Sequence, residues 1–410
     1  MIRVLVPLVL LLAACTTPVE DEARLGRGPI TFVDGRDTSA GGQVAEMVER
    51  WNERATLREQ VTFLQMPAST DAHRAQLTAR AQDLAGVRDS ADCFDVMAVD
   101  MVWTAEFAAA GHLEPLDSAE FGVDRMLPRA VEAAKSHVDG RMWAIPWRTD
   151  VGLLYYRADV LAEEGVDPPT TWAELRRQAT EFAPGRGLQG YVGQLRRYEG
   201  LVVNVAESIW AHGGDLERPA APETKAGVRA LADGIAEGWV PREALAYEES
   251  QSLAEFQAGR ALFLRNWPYA GPVLAGPGSP VAGKWAAAPL PGPSALGGWN
   301  LAVSRCSAHQ QTARDFIEFV TGDENQRVMF ERAGFLPTST SLYREPGLSA
   351  RLGPLRESLA GARTRPTSAH YDELTSVMQE NLHHALQNPE AVDGSLDLLA
   401  EDLARAAGGR

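Results

Sequence analysis

From residue 30 onward, short apolar runs alternate with stretches of helical spacing, and that alternation confines the chain to an α/β architecture. Ile30 to Val33 reads as a strand closed by the turn-prone pair Asp34-Gly35. Val44, Met47, Val48 and Trp51 follow at i, i+3, i+4 and i+7, the core stripe of an amphipathic helix. The pattern continues with a strand at 61–64, a helix at 71–84, a strand at 94–99 and a helix at 103–110. Two strand-like runs meet around Pro146 to Gly152, and Thr171 is placed to cap a helix carrying Glu174. Residues 201–210 form an apolar helix ended by Gly213-Gly214. The last third is helical, with stripes at Ala313, Phe316, Ile317 and Val320 and at Leu374, Val377, Met378 and Leu382. At 410 residues the chain has room for two or three compact domains.

The N-terminus has a different character. Arg3 precedes the apolar run 4–14, which is too short for the ~20 residues a spanning helix needs but suits a secretory signal peptide. Leu12-Ala13-Ala14-Cys15 resembles the bacterial lipoprotein box. That resemblance implies cleavage after residue 14, acylation of Cys15 and retention at a membrane surface. Residues 15–28 then read as a flexible tether. Export permits a disulfide between the remaining cysteines, Cys93 and Cys306, each of which flanks a strand-like run; two buried free thiols are the alternative.

A net charge of -16, with no Lys/Arg-rich block, speaks against a nucleic-acid partner. The segment Gly185-Arg-Gly187-Leu-Gln-Gly190 matches a dinucleotide fingerprint literally, but a helix precedes it and a strand follows, the reverse of what pyrophosphate binding requires. In the phosphate-loop look-alike 278–284, Trp285 stands where a Mg²⁺-holding hydroxyl is needed, so this is a surface turn. Neither Cys-x-x-Cys nor His-Glu-x-x-His occurs, and no metal or cofactor is expected. The local signatures of serine hydrolases are missing too, whereas a carboxylate pair for glycoside hydrolysis remains open.

Aromatic residues recur beside carboxylates at predicted strand ends: Asp100 with Trp103, Trp147 with Asp150, Tyr198 with Glu199, Trp267 with Tyr269, and Trp299 after two glycines. A sugar offers flat C–H faces and a rim of hydroxyls, which such pairs match, and open α/β sheets bind ligands at the carboxyl ends of their strands.

The stretches Phe94 to Asp100, Ala144 to Arg157, Tyr198-Glu-Gly-Leu201, Phe256 to Tyr269, Gly297 to Ser304 and Arg365-Pro-Thr367 together resemble the solute-binding proteins of bacterial sugar-uptake ABC transporters, the class containing the maltose- and trehalose/maltose-binding proteins. The resemblance implies a periplasmic-binding-protein fold: two discontinuous α/β lobes joined by hinge strands, a helical C-terminal region, and a cleft that closes on its ligand. Crossings are expected near 148–152, 297–299 and 322–325, giving a first lobe of 29–147 with 298–321 and a second of 148–297 with 322–410. It further implies that Asp100, Asp150 and Glu199 take sugar hydroxyls, that Trp267 and Tyr269 form an aromatic platform, and that Gly298, Trp299 and Arg365 approach the sugar. Arg36 and Asp37 occupy the first loop, where an acidic residue is common, and Arg148 stands where an aromatic or small residue is common. The implied protein is a monomeric, lipid-anchored receptor outside the cytoplasm, without catalytic residues, that passes a di- or oligosaccharide to a permease. A glycoside hydrolase and a receptor for a phosphorylated polyol are the alternatives, the latter requiring Arg36, Arg148 and Arg365 to converge on one anion.

Overall fold

A computed structural model describes residues 26–135 and 140–407. The expected signal peptide and Cys15 lie outside the described residues. Among the described residues, ten strands fall into two sheets. The first orders as β10 (Leu336–Pro337), β4 (Ile145–Val151), β9 (Leu296–Val303), β3 (Val96–Asp100), β1 (Ile30–Gly35) and β2 (Val61–Met66). The second orders as β6 (Gln189–Val192), β7 (Ala261–Asn266), β5 (Leu153–Arg157) and β8 (Trp285–Pro289). In the first sheet β2, β1 and β3 are parallel, while β9 runs antiparallel between β3 and β4.

Each sheet is the floor of its own core. Phe32, Ile145, Trp147 and Leu301 pack against Met47 of the helix Gln43–Arg54 and Phe316 of the helix Gln310–Thr321. In the second lobe, Leu154 and Phe263 pack against the helix Glu199–Ala211, which is buried on nearly every side. Such all-round burial explains its apolar sequence: the helices Pro222–Glu237 and Tyr371–Gln387 cover what the sheet does not. Thr171 caps the helix Trp172–Phe182 in a full capping box with Glu174.

One chain crossing lies at Gly152, and a second precedes 297–299, residues that belong to β9. Gly152 alone separates β4 of the first sheet from β5 of the second, and residues 290–295 lead from β8 back to β9. A Cβ on Gly152 would sit 2.3 Å from Glu207 Oε1 and 2.7 Å from Arg265 Nη2, so only glycine fits. Those two side chains form a buried bidentate pair, with both bonds 2.7 Å, and Glu207 Oε1 also accepts from Ala295 N at 3.0 Å. One ion pair thereby touches both crossings.

The third crossing differs from expectation. Gly322 separates two helices of the same lobe: Met329 and Phe330 of the helix Asp323–Ala333 are buried in first-lobe clusters, and β10 pairs with β4. The chain moves to the second lobe through the helical segment Pro346–Gly361, which is broken at Gly353: Leu348 and Leu352 before the break pack on the first lobe, and Leu355 after it also meets the cluster of Leu153 and Tyr155 in the second. The crossing that the family resemblance placed at 322–325 is a turn between neighbouring helices.

Cys93 and Cys306 form a disulfide, fastening the loop before β3 to the loop after the adjacent β9. The described end of the expected tether is docked: Gly28 N donates to Thr312 Oγ1 at 3.1 Å, and Arg27 pairs with Glu59 and Asp315. Residues 26–28 therefore belong to the first lobe.

Candidate ligand-binding cleft

The carboxyl ends of the parallel strands β1 and β3 face the second lobe across a cleft with a cavity of about 140 Å³. All ten residues expected at the ligand line it: Arg36, Asp37, Asp100, Asp150, Glu199, Trp267, Tyr269, Gly298, Trp299 and Arg365. Their surroundings divide them into groups already engaged and groups still free.

Arg365 is engaged. Its Nη2 donates to Asp100 Oδ1 at 3.0 Å and its Nη1 to Glu199 Oε1. Glu199 is saturated further by the Tyr371 hydroxyl and by Thr375 Oγ1, each at 2.7 Å. Asp37 turns inward on its own loop, accepting from Ser39 N, Ser39 Oγ and Gly42 N. Arg36 is exposed, with no side-chain partner among the described residues.

Asp150 is the free carboxylate. It is buried at the end of β4, and its Oδ1 has no hydrogen-bond partner among the described residues. Burial pushes its pKa up to about 7 against the pull of Arg148 and the Leu336 N–H, with Asp100 adding repulsion.

Trp267 is held from several directions. The Arg265 guanidinium lies 4.0 Å from its ring centroid, Glu249 Oε1 accepts from its Nε1 at 3.4 Å, and its ring edge rests where a Cβ on Gly297 would come within 2.9 Å. Glu249 also accepts from the Tyr198 hydroxyl at 2.8 Å. Gly298 adopts φ 145°, and a Cβ there would lie 2.5 Å from Arg148 O, so the strand pair β4–β9 closes tightly at the cleft floor.

Asp34, His73, Glu248, Glu249 and Phe335 are among the cleft residues that escaped the sequence reading. Asp34, taken as part of a turn, ends β1 and accepts a bidentate bond from Arg148 at 3.0 and 3.1 Å. The strand-end rule that found Asp100 applies equally to Asp34. Arg148 is caged by aromatic rings, 4.4 Å from the Trp147 centroid, 4.8 Å from Phe335 and 5.5 Å from Trp299. Phe335 follows the helix Asp323–Ala333 and its Gly334 cap, and His73 lies in a helix whose sequence carries no ligand signal. Conversely, Trp103, Trp147 and Tyr198 are core residues. Across the cleft mouth, Asp71 accepts from Glu199 N and from Gln379 Nε2, both at 3.1 Å, which joins the lobes directly. Among the described residues no cluster suited to a metal occurs.

A model of the bacterial extracellular solute-binding protein family matches residues 75–327. A "Probable ABC transporter-binding protein" of Deinococcus radiodurans is 32% identical over 382 residues, 85% of this chain and 87% of its own. The maltotriose-binding protein of Pyrococcus abyssi is 24% identical over 311 residues, 71% of this chain and 65% of its own. Among solved structures, maltose-bound MalE3 of T. maritima gives a TM-score of 0.85 at 32% identity, over 92% of this chain and 99% of that one. The two-lobed fold is thus shared with a relative along nearly the whole described chain, which belongs to the bacterial extracellular solute-binding proteins of ABC transporters.

Proposed function

We propose that this protein captures a neutral di- or short oligosaccharide of the trehalose or maltose type between its lobes and delivers it to the transmembrane subunits of an ABC importer, without chemistry and without a cofactor. The charge balance of the cleft carries this reading: seven carboxylates and three arginines line it. Two of the arginines, Arg148 and Arg365, are already neutralised by Asp34, Asp100 and Glu199. A phosphorylated ligand would meet a net negative wall, whereas a neutral hydroxyl can donate to the unpartnered Asp150 Oδ1 while a sugar face lies on Trp267. The maltose bound to MalE3 of T. maritima and the name of the Pyrococcus abyssi protein support a sugar of this type.

A glycoside hydrolase works through two carboxyl groups, one as acid and one as base or nucleophile. Here Asp34, Asp100 and Glu199 are held by arginine, Glu248 by Arg196, Glu249 by Tyr198, and Asp37 by its own loop. Asp150 is left without a catalytic companion.

The cavity of about 140 Å³ is smaller than a disaccharide, since a cavity of ~150 Å³ holds only benzene. The lobes therefore part to admit the ligand, turning at Gly152 and the other crossings, and the ligand's contacts with both lobes favour the state that encloses it. Acylated at Cys15, the monomer works at the outer face of the cell membrane; Cys15→Ser should release it, and equal retention of both proteins after a high-salt wash would refute the anchor.

A thermal-shift screen tests the ligand class. A sugar at 100 times its Kd should stabilise the mature chain by ~2.7 kcal/mol. Stabilisation by glycerol phosphate and by no neutral sugar would overturn the reading, as would the appearance of hydrolysis products.

A further inference from the structure

The first turn of the helix Thr70–Asp83 carries an imidazole that none of the contacts above employs. His73 is 1% exposed, yet it lines the same cleft as Asp100, Asp150 and Arg365. Trp299 stacks on it, with centroids 5.2 Å and planes 16° apart, and Trp103 meets it edge-on at 5.8 Å. The ring is therefore fixed from two sides by apolar surfaces that accept no hydrogen bond in their planes. Both its nitrogens lack a partner among the described residues. Burial of an unsatisfied donor together with an unsatisfied acceptor is unfavourable, and native proteins tolerate it chiefly where another molecule completes the bonds.

We propose that His73 is a ligand-contacting residue of the cleft, whose neutral imidazole donates to one hydroxyl and accepts from another and so selects for uncharged, polyhydroxylated ligands. The proposal rests on the sugar-capture reading and adds to it a residue and a reason for neutrality. A hydroxyl is both donor and acceptor, so it satisfies either ring nitrogen, which a phosphate or a carboxylate does not. Burial, reinforced by the nearby Arg148 guanidinium, pushes the ring pKa down to about 3, so the imidazole keeps one donor and one acceptor at any pH the exported protein meets. Arg148 does not attract an anion to the ring, because Asp34 neutralises it.

The test is titration calorimetry on the mature chain with a panel of neutral mono-, di- and trisaccharides and alditols, comparing wild type, His73→Phe, His73→Gln and Trp267→Ala. Phe preserves the stack on Trp299 while removing both polar atoms. It should weaken the tightest ligand about five- to a hundredfold and should not lower the melting temperature of the unliganded protein. Gln, with a donor and an acceptor, should recover most of the loss, a rescue that a purely structural ring would not show. If the Phe variant does not fold, His73→Leu carries the same expectation. His73→Phe at wild-type affinity, with Trp267→Ala unable to bind, overturns the role of His73 and leaves sugar capture standing. Gln as weak as Phe also overturns it. A wild type that binds nothing in the panel overturns both.

Discussion

Arg365 reaches Asp100 at 3.0 Å from the last chain crossing, and with its other terminal nitrogen holds Glu199, so one guanidinium ties the first lobe to the second. The family resemblance implied that each of these residues contacts the sugar. Their mutual engagement also makes them part of the scaffold.

A stability effect follows even without ligand. Arg365→Ala would leave two buried carboxylates uncompensated, and removing one partner of a buried pair costs about 3–5 kcal/mol. Urea denaturation of the unliganded variant should show a loss of that order. An unchanged midpoint would mean that the three side chains are hydrated apart in solution.

Asp150 should make the empty cleft sensitive to pH. Its carboxyl rises from the usual 3.8 to about 7 because burial disfavours the charge. The folded, closed form thus binds a proton more tightly than the unfolded or opened one. The resulting stabilisation is complete below about pH 3.8 and is lost as pH rises through about 7. Between those limits Asp150→Asn should flatten the dependence of stability on pH and should leave the variant more stable than wild type at pH 8. Identical slopes in both proteins would show that Asp150 is not buried in the unliganded form.

Strand and helix alternation was legible because burial imposes its period locally, and the cleft carboxylates at 100 and 150 were legible because strand ends face ligands. What remained hidden was pairing. Nothing near Arg148 in sequence indicates that Asp34 neutralises it across 114 positions, nor that Arg365 spends its donors on Asp100 and Glu199. The crossing expected at 322–325 came from the family resemblance, and nothing in the sequence there shows which lobe the next helix packs on. His73 gave no signal because a histidine on a helix face looks the same whether its neighbours satisfy it or not.

The disulfide should act on stability alone. Cys93 and Cys306 are 213 residues apart, and closing a long loop in the unfolded chain contributes about 2–5 kcal/mol. The bridge lies behind β3 and β9, with neither cysteine in the cleft lining. A Cys93→Ser, Cys306→Ser double variant should therefore melt at lower temperature yet bind its sugar with wild-type affinity. A changed affinity would couple the bridge to the position of Asp100 at the end of β3.

Trp267 should supply apolar area on a ring already braced from behind. Arg265 lies 4.0 Å from its centroid and is itself fixed by Glu207, so the ring is preorganised before a sugar arrives. Trp267→Phe keeps an aromatic face and gives up only part of the apolar area, so it should weaken binding by about 1 kcal/mol. Trp267→Ala removes that area altogether and should weaken binding by ~3 kcal/mol, roughly a hundredfold in Kd. Arg265→Met distinguishes bracing from contact: it removes the charge behind the ring, strands Glu207 in the interior and should lower both stability and affinity although Arg265 does not line the cleft. Calorimetric titration beside thermal melts of the three variants checks the order. Equal affinity of Trp267→Ala and wild type would mean that the sugar lies elsewhere in the cleft.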